Sequence, residues 1–387
     1  MSGGLRLTVE RLASGGEGVA RAPDGRVVFV PATVPGDVVD VRVVEEHKRF
    51  ARAALERVVE PGPERVAPAC ALVGTCGGCT WQHLEYTAQC RAKAERVRET
   101  FARVAGLEVP EPVGCTPSPV PLGYRSRARV GFRDGVVGFR RAGSHRLCAA
   151  DRCPVLVPAL EEALRGLATA PPSGDGELTL AAGDDGTVCI TGDGRPGNAI
   201  TIDAAGHTVE VSPGVFFQAN APLRSGLATA VHEAAGTGAR ALELFAGSGF
   251  FTLGLAARFE RVLVVEAQGR ATRDLACNLA QNGLRNVEVV TGVAERQLAG
   301  PRLAGYAPDV VVLDPPRKGL GRVSVERLAS FAAPRIVYVS CDPATHARDV
   351  SRLAVAGGYA LRHLQAFDLF PQTPHVEAIA VLERGRA

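Results

Sequence analysis

Hydrophobic and polar positions change rhythm more than once along this chain. From Leu5 to about residue 60 the apolar residues come in short runs, LRLTVE, RVVFV and VVDVRVV. Turn signals separate them: Gly15-Gly16, Pro23-Asp24-Gly25 and Pro35-Gly36-Asp37. Strands at regular spacing with no long helix between them predict a small OB-like β-barrel. After a Pro-rich linker, Pro61–Pro68, the stretch Leu84–Ala105 sets Leu84, Val97, Phe101 and Val104 among Glu, Gln and Arg, and predicts one long amphipathic helix. Tyr124–Phe139 returns to a period of two. Arg125, Arg127 and Arg129 share one strand face, Ser126, Ala128 and Val130 the other, and Asp134-Gly135 marks a hairpin turn. Residues 155–210 mix helix and strand signals and show no chemistry.

From Pro222 the pattern becomes helix and strand in alternation. A helix over Leu223–Ala235 precedes the strand ALELF, then Ala246-Gly247-Ser248-Gly249 opens a second helix from about Phe250. The next strand, VLVV, stops at Glu266. Two further β-branched runs follow: Val310–Leu313 stops at Asp314, and Ile336–Val339 stops at Ser340-Cys341. Runs apolar on both faces predict buried parallel strands built from βαβ units. Ligands of such sheets lie beyond the carboxyl ends of the strands. The glycines, Glu266, Asp314 and Cys341 therefore belong to one crevice.

Composition adds limits. The 387 residues suggest two or three domains, and 46% hydrophobic residues are enough for real cores. No apolar run approaches a membrane span, and MSGGLRLTVE lacks the apolar region of a secretion signal, so we expect a cytoplasmic protein with no membrane partner. A net charge of +3 is too small to indicate nucleic acid by itself, but its distribution is uneven. Seven Arg face one Asp across Arg125–Arg146, which favours phosphate contact over a merely solvated strand face.

Cysteine is clustered: of ten, seven fall between Cys70 and Cys153. In a chain without a secretion signal this favours metal or catalysis over disulfides. Cys70, Cys76 and Cys79 are spaced C-x5-C-x2-C around a Gly77-Gly78 turn. Three thiolates need a fourth ligand. Cys153, followed by Pro154, is the best candidate and Cys148 its rival; iron–sulfur and structural zinc both remain open on spacing alone.

The nucleotide-like site is also specific in what it lacks. The third glycine of the dinucleotide fingerprint is replaced by Thr252, so a smaller mononucleoside-like cofactor, S-adenosylmethionine, fits better than a dinucleotide.

Taken together, CALVGTCGGC with DRCP, FFQAN, ELFAGSGFF, LDPPRKG, VSCDPAT and FPQTPHVE resemble the RNA uracil-5-methyltransferase family, especially bacterial members acting on large-subunit ribosomal RNA. The resemblance covers nearly the whole chain. It implies an α/β protein with a TRAM barrel (1–60), a central α/β iron–sulfur and RNA-binding domain (61–215), and a Rossmann-like methyltransferase domain (216–387). It implies Cys341 as nucleophile and Glu377 as base. Gln218, Phe245, Gly247, Glu266 and Asp314 would line the S-adenosylmethionine site. Cys70, Cys76, Cys79 and Cys153 would hold a four-iron, four-sulfur cluster, and Arg125, Arg127 and Arg129 would touch RNA. The helix near 84–105 would pack back onto the catalytic domain, and the chain would act as a monomer on ribosomal RNA. Three positions depart from the family pattern: Phe250, Val293 and Asp342. Asp342 beside the nucleophile disfavours a thiolate unless it caps the helix starting near Ala344.

Three other readings compete. Transfer RNA is a possible substrate of the same chemistry. An amino-group methyltransferase would need no Cys341, and its Asp-Pro-Pro motif usually ends in an aromatic where Arg317 stands here. A non-catalytic RNA-binding protein would keep the fold without the cofactor.

Overall fold

The computed structural model describes residues 4–385, so the outermost residues of the first and last domains lie outside it. The strands Leu5–Leu12, Gly18–Arg21, Val27–Val30, Val38–Glu46 and Phe50–Glu60 close into a barrel. Alternation explains it: Leu7, Val9, Val28, Val30, Val39 and Val41 fill the interior while the residues between them face out. Asp37, fully buried, seals the join to the linker by accepting from the backbone N–H of Val34 (2.7 Å) and Gly62 (2.8 Å) and from Arg65 Nε (2.9 Å).

The Arg-bearing hairpin, Arg127–Arg133 with Val136–Arg140, forms the middle of a five-stranded sheet completed by Leu147–Ala149, Gly176–Ala182 and Val188–Thr191. One face is covered by the helix Pro158–Thr169, whose Leu160, Leu164 and Leu167 meet Ala128, Val130, Phe132, Leu178 and Leu180. The other face carries the arginines.

The largest body is an eight-stranded sheet in the order Val287–Thr291, Phe259–Glu266, Gly238–Leu244, Val310–Leu313, Arg335–Ser340, Glu377–Arg384, Tyr359–Phe367, Cys115–Thr116. The first five strands are parallel, as their uniformly apolar runs predict; Glu377–Arg384 is antiparallel to both its neighbours. The chain leaves Gly238–Leu244 in one direction and returns on its other side at Val310–Leu313, which opens a crevice between their carboxyl ends.

Two segments from before residue 216 pack into it: a hairpin that the sequence left in the central domain, and the helix near 84–105 that was expected here. The hairpin Ile200–Ala204 with His207–Val211 buries Ile200, Ile202, Val209 and Val211 in the same core as Leu223, Leu227 and Val264, although a boundary at 215/216 assigns it to the central domain. The helix Tyr86–Thr100, continued by a π-helical turn Phe101–Ala105, buries Val97 and Phe101 against the other face of the sheet, beside Leu364 and Val376. The same helix places the Lys93 ammonium on Asp368, both fully buried, with Lys93 Nζ also donating to Phe370 O at 3.0 Å. Losing either partner of such a pair leaves a buried charge, which costs about 3–5 kcal/mol. No helix among the described residues is long and apolar enough to cross a membrane.

Candidate active site

Sheet register sets the chemistry. The strand Arg335–Ser340 runs up to Cys341, and the next strand begins at Glu377 and runs the opposite way, with Ser340 paired to Ala378. One position further on, Cys341 and Glu377 lie side by side, on the edge of the crevice where Val310–Leu313 delivers Asp314. Glu377 is 2% exposed and its Oε1 has no hydrogen-bond partner.

Electrostatics follow from this crowding. Burial, with Glu377 and Asp314 adding their charge, pushes the Cys341 thiol up to about 12; the Arg317 guanidinium opposes them. Burial raises Asp314 to about 7 and carries Glu377 well above the usual carboxylate range, with Asp314 adding to the latter. Both carboxyls are held above the ordinary carboxylate range, the direction that suits moving protons at physiological pH. Asp342 accepts from Ala344 N (3.1 Å) and Thr345 N (2.9 Å) and so caps the helix Pro343–Gly357. Its charge is thereby spent on the helix end, which answers the objection its position raises.

The glycine-rich bend lies across the crevice. Phe245 (φ 64°) and Gly247 (φ 58°) turn the chain sharply after Gly238–Leu244. Gly249 adopts φ 99°, a backbone that other residues rarely take, and a Cβ there would stand 2.6 Å from Leu275 Cδ1 on the helix Gly269–Gln281. Glu266 is fixed by the N–H groups of Gly247 (2.9 Å) and Gln268 (2.7 Å), and Gln218 Nε2 reaches Asp314 Oδ2 at 3.5 Å. A cavity of about 380 Å³ opens beside Phe245, walled by Val293, Ala294, Pro316 and Leu320. Val293 belongs to the apolar part of its wall, and Glu295, Lys318, Arg348 and Arg352 supply a charged part. Phe250 is buried edge-on to Phe251 at 4.9 Å and serves packing.

Glu243, within Gly238–Leu244, is a group the sequence did not flag. It is wholly buried, and neither of its oxygens is hydrogen-bonded. Burial, with the charges of Glu266 and Asp314, pushes it from 4.5 up to about 8. A carboxyl raised in the folded state stabilises fully below its unfolded pKa, and that contribution is lost as pH rises through the folded one. Wild-type stability should therefore fall between about pH 5 and about pH 8, at up to about 1.4 kcal/mol per unit, and Glu243→Gln should flatten that fall. Urea unfolding at the two pH values measures it; parallel curves for both proteins would contradict the assignment.

The cysteines gather elsewhere. Cys70, Cys76, Cys79 and Cys153 line one cavity of about 730 Å³, together with Arg125, Arg129, Arg140, Arg141 and Arg152. Cys148 is buried and not among its lining residues. Among the described residues no three His, Cys, Asp or Glu side chains are grouped so as to hold a single metal ion.

The three predicted RNA-contact arginines part company. Arg125 turns to the cysteine cavity, its Nε donating to Arg127 O at 2.9 Å. Arg127 stacks near Phe216, 5.6 Å from the ring centroid. Arg129 pairs with Glu177 at 3.1 Å, as does Arg140 at 3.2 Å, while Arg133 pairs with Asp175 at 2.8 Å. The arginine face is thus partly neutralised by a neighbouring strand. Positive charge also gathers around His375, whose pKa is pulled down by burial and by Arg317, Arg96, Lys93 and Arg125. Arg96 went unnoticed in the sequence, and Arg317, within LDPPRKG, was noted there only as standing where a rival class of enzyme carries an aromatic.

A parallel sheet with a glycine bend, an acid closing the second strand, and a reactive group at the crevice together define a Rossmann-like methyltransferase. Residues 198–385 match the family described as tRNA (Uracil-5-)-methyltransferase, and residues 5–55 match the TRAM domain. The chain is 35% identical to the 23S rRNA (uracil(1939)-C(5))-methyltransferase RlmD of Pseudomonas fluorescens, covering 98% of this chain and 94% of that one. It is 34% identical to an uncharacterized RNA methyltransferase of Thermosynechococcus vestitus, covering 98% and 97%. The crystal structure of Pyrococcus abyssi tRNA (uracil-54, C5)-methyltransferase in complex with S-adenosyl-L-homocysteine superposes with a TM-score of 0.77 at 26% identity, over 99% of this chain and all of that one. The chain belongs to the RNA uracil-5-methyltransferase family and carries its TRAM barrel.

Proposed function

We propose that this protein methylates C5 of a uridine in large-subunit ribosomal RNA, with Cys341 as nucleophile and Glu377 as base. The observation that carries this reading is the pairing of a thiol with a buried, raised carboxyl at the mouth of a methyltransferase crevice. S-adenosylmethionine, when bound, supplies the electrophilic methyl. Gln218, Phe245, Gly247, Glu266 and Asp314 are the residues to hold it. The Cys341 thiolate adds to C6 of the extruded uracil, and the ring's electron pair becomes an enolate that makes C5 nucleophilic. C5 takes the methyl. Glu377 then accepts the C5 proton, the C6–S bond breaks, and the thiolate departs. Ribosomal RNA is favoured over transfer RNA by the higher full-length identity, 35% to RlmD against 26% to the transfer-RNA enzyme.

We also propose that Cys70, Cys76, Cys79 and Cys153 hold a four-iron, four-sulfur cluster. Four thiols on the walls of one roomy cavity suit a polynuclear group better than a single ion, and the surrounding arginines offset the net negative charge of a thiolate-ligated cluster. Methyl transfer moves no net electrons, so its role is to order the RNA-facing segments. Anaerobic protein should be brown; a colourless, zinc-bearing sample overturns this without touching the methyltransferase reading.

The main test uses RNA carrying 5-fluorouridine. Fluorine cannot leave C5 as a cation, so the adduct persists on denaturing gels. We expect a covalent complex with 23S rRNA fragments that depends on S-adenosylmethionine. A complex with transfer RNA alone moves the substrate to transfer RNA; methyl transfer to RNA with no complex favours an amino-group methyltransferase.

A further inference from the structure

The carboxyl of Glu377 has an oxygen with no hydrogen-bond partner, so its placement opposite Cys341 must come from its backbone. The loop leading into it is held at one residue above all, Gln372. This residue is buried and adopts φ 67°, a left-handed conformation that costs a side chain free energy and persists only when its surroundings enforce it. Those surroundings are explicit. Gln372 N donates to Gln89 Oε1 (2.9 Å), Gln89 Nε2 donates to Gln372 Oε1 (3.0 Å), and Gln372 Nε2 donates to Pro121 O (3.2 Å). Its carbonyl accepts from both Thr80 N and Trp81 N at 3.0 Å, immediately after Cys79. Every polar atom of the residue is used, and three separate segments meet on it. The two hydrogens of Gln89 Nε2 are shared among Gln372 Oε1, Trp81 O and Leu84 O, which fixes the partner itself.

We propose that Gln372 is a positioning residue for methyl transfer: it locks the loop that delivers Glu377 to the C5 proton. The proposal rests on the reading of Glu377 as the base. It predicts a defect confined to proton removal, after the covalent adduct has formed.

The experiment compares Gln372→Gly and Gln372→Ala in the full-length protein. Glycine accepts the left-handed backbone, so the first variant removes the side-chain bonds without adding strain. Turnover on uridine-containing RNA should fall by up to about 100-fold, the scale of a small misplacement of a catalytic group. The KM for S-adenosylmethionine and the rate of adduct formation on 5-fluorouridine RNA should stay near wild type. Ordinary RNA should then accumulate a methylated protein adduct. Unchanged turnover overturns the proposal, as does a parallel loss of turnover and adduct formation, which is what a general loss of structure gives. Glu377→Gln is the companion: if it too fails to accumulate adduct on ordinary RNA, the base assignment falls and takes this proposal with it. If it accumulates adduct and the Gln372 variants do not, only the positioning role is lost.

Discussion

Cys341→Ala should abolish methyl transfer to RNA, by about 10⁴-fold or more in kcat, the scale on which a covalent nucleophile is lost. The size follows from the substrate. C5 of uracil is conjugated and barely nucleophilic, and only addition at C6 frees its electron pair. Removing the thiol removes that addition outright, at a barrier cost of at least roughly 5 kcal/mol. Binding should survive, since Phe245, Glu266 and Asp314 come from other strand ends and Gln218 from the segment before the helix Ala221–Ala235. Equilibrium titration with S-adenosylmethionine should give a near-wild-type Kd, and 5-fluorouridine RNA should give no adduct. Residual turnover within tenfold of wild type, or adduct formation by the alanine variant, would remove Cys341 from the mechanism. The reaction should also depend on pH through this residue. A thiol pushed up to about 12 is overwhelmingly protonated at neutral pH. Adduct formation should therefore quicken as pH rises from about 6 to about 9, more thiolate being available at each step.

Much of this site was legible before any coordinates. The parallel strands announced themselves as unbroken β-branched runs, and a strand that ends on a functional residue puts that residue at the crevice whatever its neighbours are. This is why Gly247, Glu266, Asp314 and Cys341 fall together as expected. The barrel was equally plain, because alternation and turn residues are local signals. Lateral relations were not. That Glu377 lies beside Cys341 follows from an antiparallel pairing between distant strands, and no periodicity within either strand encodes it. The hairpin at 200–211 reads as generic alternation; only packing on Leu223 and Leu227 assigns it to the catalytic body. The arginine face looked free because Glu177, on the strand Gly176–Ala182, and Asp175, just before it, reach across from a partner the sequence does not name. Gln372 was invisible for another reason: nothing in the identity of a glutamine signals a left-handed backbone, which here is imposed by its partners.

Glu377→Gln should arrest the reaction one step later than Cys341→Ala, and the difference between the two is diagnostic. Glutamine fills the same space without accepting a proton. Addition at C6 and capture of the methyl remain possible, but the C5 proton has nowhere to go and the C6–S bond does not break. Turnover should fall by about 10²–10⁴-fold, the usual worth of a general base. RNA with ordinary uridine should become covalently attached to the protein and carry the methyl group. Denaturing gels with methyl-labelled S-adenosylmethionine read both at once. The pH profile gives a second handle. Burial and the neighbouring Asp314 carry Glu377 well above the ordinary carboxylate range, and a protonated base is inactive, so wild-type kcat should decline on acidification through a pKa far above 4.5. Raising the folded pKa moves that limb toward neutrality, the opposite of what a salt-bridged carboxylate gives. The glutamine variant should lose the limb together with its turnover. Release of methylated RNA at an undiminished rate, or an acid limb near 4.5 in the wild type, would mean that another group takes the proton. Asp314 is then the first candidate, being half-buried, raised to about 7 by desolvation and set in the same crevice.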